Sequence, residues 1–317
     1  MLKVAGERVG TGRKWLPIGG LLLLSLLWAV GWLRADLSPG SGAGLKVSAL
    51  WGEAALLGVL AVGSGLVGIA RQQGWMAWDA IGRAVLVGVG LFVAPAVLMS
   101  LATGWVEDSA RVAVFSLTPL FAVVFEPHIG MGAEQRSENR GGGFMAAMIA
   151  VAGTFLVFPV ELPRSYASGF ALMGLLVAAG AVAAANCVAV REVRGRGSPL
   201  LMFAAVVTGS SACVIGATGV LFHKYTEAGA PVDWWAVLDL LALGLLFWLM
   251  GRMSAVQMTT RFLIAPLLAN LVSLVLIRPH VEVQAWVGLL LIAQGVGWIV
   301  FARAEEDKSN LTTLKSP

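Results

Sequence analysis

Residues 168–190 read SGFALMGLLVAAGAVAAANCVAV, and this stretch decides the fold class of the chain. It contains no charged residue, and its strongest polar group is the amide of Asn186. A helix needs about 20 mostly apolar residues to cross the hydrocarbon core of a bilayer. The stretch therefore predicts a membrane-spanning helix.

Nine more stretches of this kind appear when the chain is cut at charged residues, prolines and glycine clusters. Short connections join them, and the longest polar one, GAEQRSENRGGG at residues 132–143, has the composition of a flexible loop. The sequence thus predicts an all-α integral membrane protein with ten transmembrane helices and no soluble domain. The predicted spans are residues 15–33, 47–70, 82–103, 109–128, 143–160, 168–190, 199–222, 234–251, 255–277 and 283–302.

The first span needs a separate interpretation, because Lys3, Arg8, Arg13 and Lys14 precede it as they would in a secretory signal peptide. Its apolar part is as long as a full span, and no small-x-small cleavage pattern follows residues 32–34. We therefore expect an uncleaved first helix.

The composition agrees with a lipid environment. Hydrophobic residues make up 58% of the chain and charged residues 13%, with a mean hydropathy of +0.84. An ordinary soluble domain carries about 25% charged residues, and 317 residues enclose too little interior to hide this much apolar surface. The formal net charge is +4, but lysine and arginine form no cluster dense enough to bind phosphates. We expect no nucleic-acid partner.

Lysine and arginine also predict the orientation, since cytoplasmic loops carry an excess of both. With ten spans and a cytoplasmic N-terminus, 16 of the 22 fall on the cytoplasmic side. We therefore expect a multi-pass protein of the cell (cytoplasmic) membrane with both termini in the cytoplasm. The six on the other side are Arg34, Lys46, Arg111, Arg164, Lys224 and Arg278.

Two pairs of similar segments indicate an internal repeat. SLTPLFA at 116–122 precedes EPHI at 126–129, and LIAPLLA at 263–269 precedes RPHV at 278–281. Each pair lies in the fourth helix of a five-helix set and at the exit of that helix. Because five is odd, the second set enters the membrane from the opposite side. Many secondary transporters use such an inverted repeat. The chain after the last span is polar, and we expect it to be disordered. The predicted units are two five-helix repeats at 15–160 and 168–302 and a cytoplasmic tail at 303–317.

Three stretches resemble the ten-helix EamA-type members of the drug/metabolite transporter superfamily. They are GFALMGLLVAAG at residues 169–180, similar to the start of a second EamA repeat, APLLA at 265–269, and WVGLLLIAQG at 286–295, similar to a glycine-rich closing helix. The resemblance covers nearly the whole chain in its helix pattern. It implies a cavity between the halves, lined by helices one, three, four, six, eight and nine, and rocking of one half against the other.

Glu126 and Asn270 are predicted on proline-bearing faces of helices four and nine. Glu126 follows Pro119 by seven residues and Asn270 follows Pro266 by four, so each shares a face with its proline. Such a face usually turns toward protein or water because its backbone carbonyls are partly freed. Glu126 is therefore either a cation- or proton-binding group of the cavity or an interfacial carboxylate. Asn270 either contacts the ligand or forms an interhelical hydrogen bond.

Trp28, Asn186 and Arg261 complete the candidate substrate-binding residues. Asn186 follows three alanines, where close helix packing is the alternative to ligand contact. Arg261, near the cytoplasmic entrance of helix nine, either extends to lipid headgroups or contacts a substrate anion. Trp28 lies away from the predicted helix ends, so packing inside the bundle suits it better than the interfacial aromatic belt.

These features predict a secondary transporter that moves a small organic metabolite by alternating access. The alternatives are a non-transporting polytopic membrane protein and a lipid-translocating or lipid-handling relative. No Walker loop, GxSxG or HExxH motif occurs, and His128, His223 and His280 lack the spacing of a metal site. We therefore expect no enzyme, cofactor or metal. The expected partners are the lipid bilayer and a small-molecule substrate, with a homodimer left open.

Overall fold

Every regular element of the described chain is a helix, which confirms the predicted all-α fold class. A computed structural model describes residues 12–37, 47–129, 140–160, 163–222, 236–277 and 282–313. Two π-helical turns, at Val89–Val93 and Arg191–Gly195, continue the helices that precede them. The helices are α1 (Gly12–Leu37), α2 (Val47–Ala70), α3 (Trp78–Gly88), α4 (Ala94–Ala102), α5 (Asp108–Phe115), α6 (Thr118–Ile129), α7 (Arg140–Val157), α8 (Tyr166–Val190), α9 (Leu200–Phe222), α10 (Ala236–Met250), α11 (Ala255–Thr259), α12 (Arg261–Ile277) and α13 (Val283–Thr313).

Within the described ranges, seven helical stretches are long and apolar enough to cross a membrane, by length and composition. They identify the chain as a helical membrane protein. Three shorter apolar helices, Trp15–Gly31, Gly142–Val157 and Ala236–Met250, coincide with the other predicted spans. The seven long stretches are Leu50–Ala70, Trp78–Ala102, Asp108–Ile129, Tyr166–Gly195, Leu200–Leu221, Ala255–Leu274 and Val283–Phe301.

Two of the predicted spans are interrupted. The fourth breaks at residues 116–117, just before Pro119, whose missing N–H leaves the Phe115 carbonyl without its helical donor. The Thr118 hydroxyl takes that place and donates to the Phe115 carbonyl at 2.6 Å. The ninth span breaks at Thr260, between α11 and α12. An apolar pattern predicts where a span lies and carries no sign of these breaks.

The last helix runs to Thr313, so the expectation of a disordered segment beyond the last span is wrong for residues 303–313. The first part of this segment holds Arg303, Ala304, Glu305, Glu306 and Lys308, all of which favour helix. Helical propensity therefore carries α13 past the apolar stretch that the membrane requires.

α7 and α13 pack with their backbones in close contact, through facing glycines. A Cβ atom at Gly288 would lie 2.7 Å from the Gly153 carbonyl oxygen, and one at Gly153 would lie 2.6 Å from the Gly288 carbonyl oxygen. Small residues allow the two backbones to approach this closely. In lipid, where the hydrophobic effect does not drive helices together, van der Waals packing at such contacts stabilises their association. Gly297, on the same helix, has open space where its Cβ would lie.

Gly288→Ala should therefore destabilise the protein by about 1–3 kcal/mol, because the new methyl group meets backbone atoms that cannot rotate away. Gly297→Ala is the matched control and should leave stability unchanged or slightly raised, since alanine favours helix. Thermal unfolding of both variants in detergent, followed by tryptophan fluorescence, measures the difference. Equal unfolding temperatures would contradict the close packing of α7 on α13.

Contacts between distant segments define the two ends of the helix bundle. Arg83 pairs with Glu192, Arg191 donates to the Ile129 carbonyl at 3.0 Å, and Val193 lies against Gly251. At the other end, residues from 104–110, Val160 and residues from 163–172 line a cleft of about 290 Å³, and we call this the cleft end. The first end is called the arginine-rich end after Arg83, Arg191, Arg194, Arg196 and Arg252.

Candidate substrate-binding site

Arg261 is the first residue of α12, directly after the break at Thr260, and its side chain is only 1% exposed. The expectation that Arg261 extends to lipid headgroups is therefore wrong. A guanidinium taken out of water loses its hydration, which costs free energy unless polar groups in the interior replace it. The contacts of Arg261 therefore decide how its buried charge is stabilised.

Both hydrogen bonds of Arg261 to the described residues start from Nη1. One goes to Oδ1 of Asn186 at 3.2 Å and the other to the Met258 carbonyl at 2.8 Å. Asn186 is itself fully buried, and its Nδ2 donates to the Val182 carbonyl at 2.7 Å. That bond orients the amide so that its oxygen points to the guanidinium. Nε of Arg261 is buried and has no hydrogen-bond partner in the part of the chain that the structure describes.

Aromatic rings surround the same guanidinium. Its carbon lies 5.2 Å from the ring centroid of Trp28 and 4.7 Å from that of Phe262. Trp28 meets Phe262 edge to face at 5.5 Å, and Phe115 stacks on Phe262 at 6.0 Å. Cation–π attraction of this kind strengthens when the cation is desolvated. We call these five residues, Trp28, Phe115, Asn186, Arg261 and Phe262, the guanidinium–aromatic cluster.

The cluster holds a charge that the described chain does not neutralise. Arg261 forms no ion pair with any described carboxylate, and its partners are an amide oxygen, a carbonyl and two rings. By contrast, Arg83, Arg111 and Arg196 pair with acidic side chains. A buried cation without a counter-ion marks a functional position in a membrane protein, because packing alone would favour an apolar residue there.

Three of the five sequence-predicted site residues, Trp28, Asn186 and Arg261, meet in this cluster, and the other two do not. Glu126 is half-buried and lies near the end of α6, at the arginine-rich end. Asn270 donates from Nδ2 to the Pro266 carbonyl at 2.9 Å, within its own helix. Neither interpretation given for Asn270 describes that bond. Proton or cation binding by Glu126 stays a prediction.

Sequence reasoning missed Phe115 and Phe262. Each adjoins a helix break, Phe115 at the end of α5 and Phe262 as the second residue of α12. Phenylalanine is common in any apolar span, so its identity carries no signal. The proline that follows Phe115 by four residues was the only available indication, because it frees the Phe115 carbonyl.

The π-helical turn at Val89–Val93 packs against α8 beside Asn186. A Cβ atom at Gly90 would lie 2.8 Å from the Ala185 Cβ and 2.9 Å from the Ala181 carbonyl oxygen. Single π turns inside α-helices occur frequently at functional sites. This contact holds the part of α8 that carries Asn186, and so fixes the amide against Arg261.

A second cluster of charges lies at the arginine-rich end. The Glu192 side chain is fully buried, and its Oε1 pairs with Arg83 Nε at 2.6 Å and with Arg196 Nη1. Arg83 also pairs with the exposed Asp79 at 2.8 Å. The other Glu192 oxygen, Oε2, is buried and accepts no hydrogen bond from any described residue. The Arg83–Glu192 pair joins α3 to the π-helical turn after α8, two segments that are far apart in sequence.

Neither protein-family models nor curated proteins match the chain. Its fold is similar to a solved structure known only as a crystal structure of a protein, with a TM-score of 0.66 and 18% sequence identity. The match covers 91% of this chain and 98% of the other. Identity at this level shows the fold alone. Fold and site together define an all-α membrane protein with a desolvated arginine among aromatic rings.

Proposed function

We propose that the protein is a secondary transporter that moves a small organic metabolite across the cell membrane by alternating access. The observation that carries the proposal is the buried charge of Arg261 in the guanidinium–aromatic cluster, which no described carboxylate neutralises. The cluster draws on both predicted repeats, since Trp28 and Phe115 belong to the first and the other three residues to the second. A ligand between the halves would contact both of them, as alternating access requires.

The helix contacts support an architecture of ten spans in two inverted repeats. We number the spans in chain order, so that α3–α4, α5–α6 and α11–α12 count as one span each. In such a repeat, each span corresponds to the span five places away in the chain. The contact of α6 with α8 then corresponds to the contact of α12 with α1. Likewise, the contact of α3 with α9 corresponds to that of α10 with α2, and the contact of α4 with α8 to that of α10 with α1; all six contacts occur. The interrupted spans four and nine are exchanged as well.

The charge cluster at the arginine-rich end fits a gate in this mechanism. Arg83 belongs to the first predicted repeat and Glu192 to the second, so their ion pair would hold that end closed between the two halves. The cleft of about 290 Å³ lies at the opposite end. Opening the arginine-rich end would separate Arg83 from Glu192. Water would then solvate each of the two charges and replace the ion pair.

The arginine-rich end is assigned to the cytoplasm by the distribution of positive charge. Reporter fusions after Arg196 and at the C-terminus should both give a cytoplasmic signal, because ten spans return the chain to its starting side. A fusion in the 223–235 connection should report the other side. An external signal from the C-terminal fusion would contradict the ten-span arrangement.

Flux into proteoliposomes tests the transport function directly. We expect saturable uptake of at least one class of labelled organic metabolite, accelerated when the same unlabelled compound is loaded inside. Such acceleration distinguishes alternating access from a leak, because a carrier returns faster when it is loaded. Translocation of a fluorescent lipid without metabolite flux would favour the lipid-translocating alternative. No flux of either kind would favour the non-transporting one.

A further inference from the structure

We infer that the guanidinium–aromatic cluster binds an organic anion that combines a carboxylate with a flat apolar group. This inference rests on the proposed function in so far as the ligand is the transported substrate. The inference goes beyond the proposed function because it specifies the charge and the shape of the substrate, which the fold does not indicate. Three features of the cluster carry it: the free edge of the guanidinium, the missing counter-ion and the arrangement of the rings.

The free edge of Arg261 has the geometry of a carboxylate receptor. A guanidinium presents two parallel N–H groups along the edge formed by Nε and Nη2, and this fork matches the two oxygens of a carboxylate. Among the described residues, Arg261 donates only from Nη1, to Asn186 and to the Met258 carbonyl. These two bonds fix the plane of the guanidinium, while Nε is buried and bonds to no described residue. The Nε–Nη2 edge is therefore oriented and is not occupied by any described residue.

The charge of the cluster sets the sign of the ligand. With no described carboxylate paired to Arg261, a cationic ligand would add a second positive charge to the same desolvated site. A neutral ligand would leave the charge unneutralised. An anion removes the electrostatic cost of the buried guanidinium and adds hydrogen bonds that are stronger because both partners are charged. Binding of an anion is thus favoured over binding of either alternative.

The rings set the shape of the ligand. Trp28 and Phe262 meet edge to face, and both rings lie beside the guanidinium. Phe115 extends this aromatic surface by stacking on Phe262. A flat apolar group can pack on such rings at low entropic cost, because aromatic side chains have few rotatable bonds. Arg261 is 1% exposed, so the ligand enters when the surrounding helices part, as in the occluded state of a carrier.

Purified protein in detergent, titrated with three ligands of one shape, tests the sign and the class. Benzoate carries the carboxylate, benzamide is its neutral counterpart, and benzylammonium is cationic. Calorimetry should show benzoate binding at least about tenfold more tightly than benzamide, as expected for charged hydrogen bonds. Benzylammonium should not bind. Chloride should bind at least about tenfold more weakly than benzoate, because it offers one acceptor atom to the two N–H groups and has no apolar group to pack on the rings.

Variants assign the binding to Arg261. Arg261→Met should remove benzoate binding, and Arg261→Lys should weaken it about tenfold, because lysine keeps the charge and loses the fork. Arg252→Met is the matched control: Arg252 stacks on Trp248 at 4.2 Å and is exposed at the arginine-rich end, so affinity should stay unchanged. If the Arg261 variants fail to fold, the comparison of ligands on the unsubstituted protein still decides.

Several results would overturn the inference: equal affinity for benzoate and benzamide, chloride affinity equal to that of benzoate, no benzoate binding at millimolar concentrations, or benzoate binding that survives Arg261→Met. Benzoate binding with no flux of any metabolite would overturn the transporter and leave the anion site standing. Saturable flux of neutral or cationic metabolites without benzoate binding would do the reverse. The two proposals therefore fail separately.

Discussion

Replacing Arg261 with methionine should abolish substrate flux and at the same time leave the protein as stable as before, or more stable. Flux should fall by at least about 100-fold, because the substrate loses its charged hydrogen bonds in a low-dielectric site. Stability should not fall with it. Methionine fills a similar volume without a charge, and replacing buried charges by apolar groups is often neutral or stabilising by about 1–4 kcal/mol.

The opposite directions of these two effects make the prediction specific. A residue that served only packing would lose stability and flux together. Flux into proteoliposomes at equal protein density and thermal unfolding in detergent provide the two measurements. Arg252→Met serves again as the control and should change neither. A lower unfolding temperature for Arg261→Met, with flux reduced only in proportion to folded protein, would make Arg261 a structural residue.

Replacing Glu192 with alanine should destabilise the protein by about 2–3 kcal/mol. Removing one partner of a buried ion pair costs about 3–5 kcal/mol, because the other charge is left without compensation. The expected loss is smaller here because the side chains of Arg83 and Arg196 are 28% and 41% exposed, and water solvates them partly. Glu192 itself has no such access, since its side chain is fully buried.

Asp79→Ala is the matched control for Glu192→Ala because it removes the other acid bound to Arg83. Asp79 is 67% exposed and forms a surface pair within α3. Such a pair contributes about 0–1 kcal/mol, so its loss should be small. Thermal unfolding compares the two variants, and hydrogen–deuterium exchange of residues 191–196 should rise only in Glu192→Ala. Equal effects of both substitutions would contradict the gate formed by Arg83 and Glu192.

The fold class of this protein follows from its sequence because lipid imposes a simple rule. A span must be apolar and long enough, and every backbone group must bond within it, so composition and length suffice to predict helices. Residues 168–190 illustrate this, since α8 covers the whole stretch. The breaks at 116–117 and at Thr260 escaped prediction, because they depend on which hydroxyl or proline competes for a backbone carbonyl.

The candidate site was predictable in part, for reasons that differ between residues. Arg261 and Asn186 attract notice because polar groups are rare within apolar spans. Their contact joins residues 75 positions apart, and only the packing of α8 against the start of the ninth span brings them together. Glu126 and Asn270 drew attention through their prolines, yet Asn270 bonds within its own helix. A shared helix face predicts the direction in which a side chain points. It does not predict which group the side chain contacts there.

By itself, the sequence determined that this chain is helical, that lipid surrounds it and which polar residues its apolar spans contain. The tertiary structure alone decided which of those residues meet. It brought Trp28 and Phe262 to the guanidinium of Arg261 and stacked Phe115 on Phe262, and it placed Glu192 between two arginines. The physical reason is that hydropathy is a property of each residue and can be read along the chain. The environment of a buried charge is set instead by groups that are distant in sequence and that only helix packing brings within a few ångströms.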